Sequence, residues 1–480
     1  MKKIFTTSLF ILLYSITLKS FSPGTNDESM VVEENSTIKN NAVNPCITPS
    51  QYEIIERRCA QNTRILNNGI QQRLSLIPTQ LSWPLKPVVG FTDYSYYYIS
   101  AYVDQNPAAG SFSDFNCGTT SYDGHRGTDI SIFPFGFYKM DNSLVEVIAA
   151  SAGTIIDKSD GNFDRNCSAN NLPSNYVIIQ HADGSHALYW HLKKNSVTSK
   201  GIGQMVANGE YLGAVGSSGS SSGPHLHFEI WSGNTNQTYI DPFFSTCNNI
   251  NNSTWWFNQK PHTEPAVVKV SVNTTDIVLP GCPTTETLNE SDIFPIPFQG
   301  AGLPAGKAKF YIYIRNETDG MTANCKIQNP NGSTFSSWNH ISNSNNKNII
   351  RGWTKSLPST PGMYTFEVTY NSIVCSKSFE VSTTATYLTE YSSLSSEFIV
   401  YPNPNNGKII VEYNPGKNKE QYHLRGNGEI EFYNILGEKV FQTPISENKT
   451  QFDLDIRDGV YFYNIKNHNL VITTGKLIVK

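Results

Sequence analysis

The sequence predicts a mainly β protein assembled from several units, and three observations carry that prediction. The chain has 480 residues, which at roughly 150 per domain gives about three domains. From residue 82 almost to the end, short runs rich in Val, Ile and Tyr alternate with Gly, Asn and Ser turns, with no long helix between them. Aromatic residues make up 12%, so the chain has the apolar bulk for packed cores and not the composition of a disordered one. Charge excludes other classes. Lys plus Arg number 36 against 40 Asp plus Glu, and a formal charge of −4 steers the chain neither to nucleic acid nor to an anionic membrane.

Residues 1–22 begin with Lys2 and Lys3 and continue as an apolar run interrupted by Ser and Thr, too short and too polar to span a bilayer. They read as a secretory signal removed near Ser20 to Ser22, and no later stretch suits a membrane span, so the mature protein is expected to be secreted. Residues 23–80 form a polar linker and then a short helical segment. There Ser50 and Glu53 suggest a capping box, and Ile54, Ile55, Ile65, Leu66 and Ile70 recur at helical spacing. The segment either docks on the neighbouring β domain or is a removable pro-segment.

Residues 82–245 carry β runs at Leu144–Ala150, Gly153–Asp157, Tyr176–Gln180, Ala187–Leu192 and Leu226–Trp231. They predict an antiparallel β domain of about 160 residues, large enough for its own core. Residues 266–382 alternate apolar and polar, as in Val268, Val270 and Val272, Lys309–Arg315 and Tyr364–Tyr370. They predict an immunoglobulin-like β-sandwich in which Pro361-Gly362-Met363-Tyr364 opens a late strand. A Thr/Ser-rich linker over 383–396 precedes a small C-terminal β-sandwich over 397–480.

Chemistry concentrates in three segments of the first β domain: Gly124-His125-Arg126-Gly127-Thr128-Asp129, Tyr189-Trp190-His191-Leu192 and Gly223-Pro224-His225-Leu226-His227-Phe228-Glu229. In a strand, His225 and His227 share one face while Leu226 and Phe228 share the other, so an inward apolar face leaves the histidines in a cleft. Imidazole suits zinc, and His125 with Asp129 adds a nitrogen and an oxygen around Gly127. Three ligands drawn from His125, Asp129 and one histidine of the pair leave the other histidine and His191 unmetallated, which is an open, catalytic type of site. Glu229 is either an orienting partner or a surface residue, and His181 and His186, beside an Asp183-Gly184 turn, are expected to face solvent. Gly219-Ser220-Ser221-Ser222-Gly223 imitates a nucleophile elbow, but a β run comes after it, which makes Ser221 a loop serine.

Together the three segments resemble the signatures of the lysostaphin/LytM-type zinc metallopeptidases, a family that includes the β-lytic endopeptidases. The resemblance extends to the approach Gly216 to Ser222, the run Asn175 to His181 and the closing Ile240-Asp241-Pro242. It implies that His125, Asp129 and His227 bind Zn2+ and that His191 and His225 are the catalytic pair, acting with zinc-activated water on peptide bonds. Two departures, an insertion from Phe133 to Asn142 and an aromatic stretch from Phe91 to Tyr102, are expected to reshape the cleft.

The tail resembles the type A sorting domain of the type IX secretion system. The resembling elements are Tyr401-Pro402-Asn403-Pro404, Tyr433-Asn434-Ile435-Leu436-Gly437, Asp458 to Phe462 and the basic end Gly475 to Lys480. It implies that the type IX machinery is a partner and that the chain crosses the outer membrane. The eight cysteines suit oxidative export, with expected pairs Cys117–Cys167, Cys325–Cys375, Cys46–Cys59 and Cys247–Cys282. None sits at Cys-x-x-Cys spacing, so no metal role is expected of them.

The expected function is therefore secreted zinc-dependent endopeptidase activity on peptidoglycan cross-links or Gly-rich extracellular proteins, the sandwich aiding substrate or surface binding. A carboxypeptidase on wall peptides and a catalytically inactive cell-surface binding protein are the competing readings.

Overall fold

The structure, a computed structural model, describes residues 29–32, 45–67, 78–233, 235–383, 398–413, 428–434, 437–445, 449–467 and 470–480. The signal segment 1–22 and nearly all of the linker at 383–396 lie outside them. The protein is mainly β, and the chain forms two compact units, Met1–Thr384 and Ala385–Lys480. No helix among the described residues is long and apolar enough to cross a membrane.

In the first unit an antiparallel sheet runs in the order Tyr97–Ala101, Thr128–Ile132, His225–Trp231, His186–Trp190, Tyr176–Gln180, Gly153–Ser159, Met205–Val206, and Tyr239–Ile240 pairs with the end of its third strand. Its two faces differ. Ile130, Leu226, Phe228, Tyr189, Val177 and Ile155 pack on one side, together with a small sheet of Tyr211–Ala214, Val145–Ile148 and Leu85–Pro87. The other face carries Asp129, His225, His227 and Glu229 and then turns apolar at Trp231, Trp190, Leu188, Tyr176, Ile178 and Ile156.

The helix Pro49–Leu66 lies on that second face. Its cap is Thr48, not Ser50. The Thr48 side chain accepts from Gln51 N, the Gln51 side chain reaches back to Thr48 N at 2.8 Å, and Pro49 fills the first turn, where no donor is needed. The buried stripe is Tyr52, Ile55 and Cys59, whereas Ile54 and Ile65 are exposed. Ser29–Val32, read from sequence as part of a patternless linker, pairs antiparallel with Ile350–Trp353.

The sandwich packs Ala266–Asn273, Lys307–Glu317 and Asn346–Ser356 against a sheet of Ile293–Pro295, Ile373–Ser382, Gly362–Tyr370, Thr322–Gln328 and Thr334–Ile341. The Tyr364 hydroxyl donates back to the Thr360 carbonyl at 2.7 Å, the corner expected of such folds. The insertion at Phe133–Asn142 faces the sandwich more than the cleft. Phe133 and Phe135 pack with Tyr311, Tyr313, Ile350 and Val268, and the aromatic stretch before it contributes Tyr98 to the same seam.

The cysteine pairing differs from expectation. The bonds are Cys117–Cys247 and Cys167–Cys282, while Cys46, Cys59, Cys325 and Cys375 are free. Cys325 and Cys375 sit on opposite sides of Val368 in one sheet. Two strand spacings put them about 9.6 Å apart, beyond the roughly 4.4–6.8 Å that a disulfide bridges. Cys117 and Cys167 serve separate joints, the first tying down the loop at 245–250 and the second fastening a cleft loop to the sandwich.

The second unit holds Phe398–Tyr401, Lys408–Tyr413 and Lys449–Asp453 in one sheet and Lys439–Ile445, Gly428–Tyr433, Gly459–Asn467 and Leu470–Val479 in another. Ile409, Val411, Ile430, Phe432, Ile465 and Leu477 form its core.

Candidate metal centre and cleft

Strand register assembles the site. His227 lies directly opposite Asp129 on one neighbouring strand and Trp190 on the other, so His191, the next residue, arrives beside it. His191 turns out of its strand at φ 66°, a left-handed conformation that costs a non-glycine residue roughly 1–3 kcal/mol. Its ring centre then lies 4.5 Å from that of His225. His125, in the turn before Thr128–Ile132, stacks on Tyr122 with ring centres 4.2 Å apart. Gly127 has a steric role, because a Cβ there would stand 2.6 Å from the His227 ring.

Each imidazole is pinned by its outer nitrogen. His125 Nδ1 donates to the Tyr102 carbonyl at 2.7 Å, and His227 Nε2 donates to the Glu229 carboxylate at 3.2 Å. His191 Nδ1 donates to the Ser218 carbonyl at 2.6 Å, and His225 Nδ1 to the Gly223 carbonyl at 2.8 Å. The inner nitrogens therefore present lone pairs to the cleft. Three acceptor atoms converge: His125 Nε2 is 3.2 Å from Asp129 Oδ1, His227 Nδ1 is 2.9 Å from the same oxygen, and the two nitrogens are 3.2 Å apart. Tetrahedral zinc with bonds near 2.0–2.1 Å needs ligand separations of roughly 3.3 Å, so the donor set fits such an ion with one corner left over. His225 Nε2, 3.7 Å from Asp129 Oδ1, and His191 Nε2 are buried without a hydrogen-bond partner.

Electrostatics point the same way. Burial would push the Asp129 carboxyl up, but His125 and His225 hold it well below the usual carboxylate range. Burial pushes His125 down, Asp129 outweighs it, and the imidazole rises to about 9. Without an ion, then, protons balance the carboxylate. His191 moves the other way, lowered by burial and by the neighbouring His225.

Glu229 is not a surface residue. It is fully buried, accepts from Tyr52 Oη at 2.8 Å and Trp231 Nε1 at 2.7 Å, and anchors His227. His181 and His186 are buried, not solvent-facing, and burial takes His186 down to about 4. Neither joins the cluster. Ser221 Oγ sits 3.3 Å from His225 Nδ1 and donates to the Gly223 carbonyl, in a loop that leads into a strand.

Two residues escape the sequence reading. Tyr122 stacks on His125, and its hydroxyl lies 3.5 Å from Asp129 Oδ2. Cys46, expected to have no metal role, stands in the cluster. Its sulfur lies within 4.8 Å of the ligand atoms of His125, Asp129 and His227, and within the same distance of those of His191 and His225. A cysteine brought to such a cluster by the fold from a distant segment needs no Cys-x-x-Cys spacing. The available signal was a cysteine just before a capped helix in a segment already suspected of being removable.

Residues 124–242 match peptidase family M23, and residues 399–480 match the secretion system C-terminal sorting domain. The cell division protein DipM of Caulobacter vibrioides is 33% identical over 107 residues, 22% of this chain and 17% of that protein. The peptidoglycan DD-endopeptidase ShyC of Vibrio cholerae is 33% identical over 106 residues, 22% of this chain and 20% of its own. The DD-carboxypeptidase/endopeptidase Mpg of Neisseria meningitidis is 51% identical over 55 residues, 12% of each chain. The matched stretch thus spans a fifth or less of these relatives. Residues 124–242 are a peptidase M23 domain of the LytM/lysostaphin type, and residues 399–480 a secretion system C-terminal sorting domain.

Proposed function

We propose that the protein is an exported zinc endopeptidase that cuts peptide cross-links of peptidoglycan or Gly-rich extracellular proteins, with His125, Asp129 and His227 as metal ligands and His191 and His225 as the catalytic pair. The observation that carries it is the triangle of acceptor atoms 2.9–3.2 Å apart beside two imidazoles with unused Nε2 lone pairs. A bound zinc ion supplies Lewis acidity toward the amide carbonyl and makes water a nucleophile near neutral pH.

The chain's own groups do the rest. Either His191 Nε2 or His225 Nε2 takes the proton from the attacking water, and it or its neighbour returns a proton to the leaving nitrogen. Their Nδ1 hydrogen bonds to Ser218 and Gly223 hold both rings in the tautomer this requires. Glu229 holds His227 in the ligating tautomer. The sorting domain supports export through the type IX system as the route by which the enzyme meets its substrate.

Zinc content and hydrolysis of purified cross-linked peptidoglycan, with and without a chelator, test the reading. His191→Ala is expected to lower turnover by roughly 10²–10⁴-fold while leaving bound zinc in place. Undiminished cleavage after complete metal removal would refute the proposal, and a folded protein without metal would favour a binding protein. One relative's name pairs carboxypeptidase with endopeptidase, so cleavage-product masses distinguish terminal from internal cuts.

A further inference from the structure

We infer that Cys46 is a fourth ligand of the metal centre and that the segment 45–67 is an internal inhibitor holding the peptidase latent. The inference rests on the metallopeptidase reading and goes beyond it.

The position of the sulfur is the first ground. Five polar side chains line the cleft, and Cys46 Sγ belongs both to the group with His125, Asp129 and His227 and to the group with His191 and His225. It therefore occupies the ground between the ligand triangle and the catalytic pair, where the attacking water and the scissile carbonyl must be. The second ground is that the Nε2 atoms of His191 and His225 are buried without a hydrogen-bond partner, and one ring nitrogen of each histidine lies within 4.8 Å of the sulfur. Thiolate is a strong zinc ligand, and with His125, Asp129 and His227 it completes the closed four-ligand set of a site with no place for water.

The third ground is how the sulfur is held. The neighbouring Ile47 is fully buried, and Tyr52, Ile55 and Cys59 of the helix Pro49–Leu66 cover the face of the sheet that carries the site. Tyr52 Oη donates to Glu229, the partner of His227, at 2.8 Å. Arg58 pairs with buried Asp157 at 2.7 Å, and Asn62 donates to the Ile156 carbonyl at 2.7 Å. Arg126, inside the first site motif, lies over the Tyr52 ring at 5.3 Å. The helix is thus keyed to the site, and leaving would uncover the cleft and withdraw the thiol together.

The step is ligand exchange. On binding, the thiol gives its proton to solvent and the sulfur donates an electron pair to the metal. On release that bond breaks, water takes the position and the sulfur recovers a proton. No oxidant or reductant takes part.

The test uses the full chain loaded with cobalt(II). The wild-type protein should show a near-ultraviolet thiolate-to-cobalt charge-transfer band, Cys46→Ala and Cys46→Ser should lose it, and Cys59→Ala should keep it. Peptidoglycan hydrolysis by the zinc-loaded Cys46→Ala protein should exceed that of the wild type by at least about tenfold, as when an open form of a tenth or less becomes the whole population. Ile55→Glu, which loosens the helix without touching the cleft, should weaken the band and raise activity in the same direction. A cobalt-loaded wild type without the band, or wild type and Cys46→Ala equally active, would overturn the plug and leave the peptidase standing. No metal uptake by any form would sink both readings.

Discussion

Two buried polar clusters in this chain each set a carboxylate beside histidine and come to opposite ends. In the sandwich, the Glu317 carboxylate accepts from Arg351 Nε at 3.1 Å and Nη2 at 2.6 Å. It also accepts from His340 at 2.9 Å, Ser342 at 3.0 Å and Asn346 at 2.7 Å. The lone pairs there meet donors from the same chain. In the cleft, Asp129 faces imidazole nitrogens whose protons are committed elsewhere, so acceptors face acceptors. A deficit of donors separates the reactive cluster from the structural one. A self-satisfied cluster locks a fold, while a deficient one requires a cation.

The largest expected break is at Asp129. Asp129→Ala removes the oxygen shared by two of the three contacts in the ligand triangle and should abolish stoichiometric zinc and at least roughly three orders of magnitude of hydrolysis, measured by elemental analysis and peptidoglycan turnover. If zinc survives, the cleft is not the centre.

Glu317→Ala should act on stability alone. Leaving Arg351 buried without its partner costs about 3–5 kcal/mol in urea unfolding of the first unit, with zinc content unchanged.

Acid sharpens the contrast through opposite signs. Glu317 is pulled from 4.5 to about 2: burial opposes its ionisation, and the His340 and Arg351 hydrogen bonds overcome it. Its contribution is full above pH 4.5 and lost as pH falls through 2, about 3 kcal/mol in all. Glu317→Gln should flatten that slope in urea titrations between pH 6 and pH 2. In the ion-free cleft, His125 rises from 6.5 to about 9, so its contribution is full below pH 6.5 and lost as pH climbs through 9. Zinc should erase this alkaline slope, because the ion replaces the proton.

The smallest effect belongs to the support behind the ligand. Glu229→Gln keeps the shape but weakens the grip on His227, and zinc affinity should fall roughly 10–100-fold in a competition titration with a chelating dye. An unchanged affinity would reduce Glu229 to packing.

Much of the site was legible because strand alternation is a local rule. The pattern His225-Leu226-His227-Phe228 fixes which side chains share a face before any fold is known, and Leu226 and Phe228 do fill the core. The helix cap was misread by two residues, since Thr48 with Gln51 and Ser50 with Glu53 present the same signature. The burial of Glu229, His181 and His186 was missed because a polar side chain in a strand carries no mark of what packs over it.

Local sequence, then, determined the β class, the three motifs and the shared, cleft-side face of His225 and His227, all consequences of periodicity and backbone chemistry that act over a few residues. The tertiary structure alone decided the disulfide partners, the anchoring of His227 by Glu229 and Tyr52, and the arrival of Cys46 among the cleft's lone pairs. Cys46 and Tyr122 are 76 positions apart, yet their sulfur and oxygen meet at 2.9 Å. Contacts at that separation come from sheet register and from the docking of one buried helix face, which no local spacing encodes.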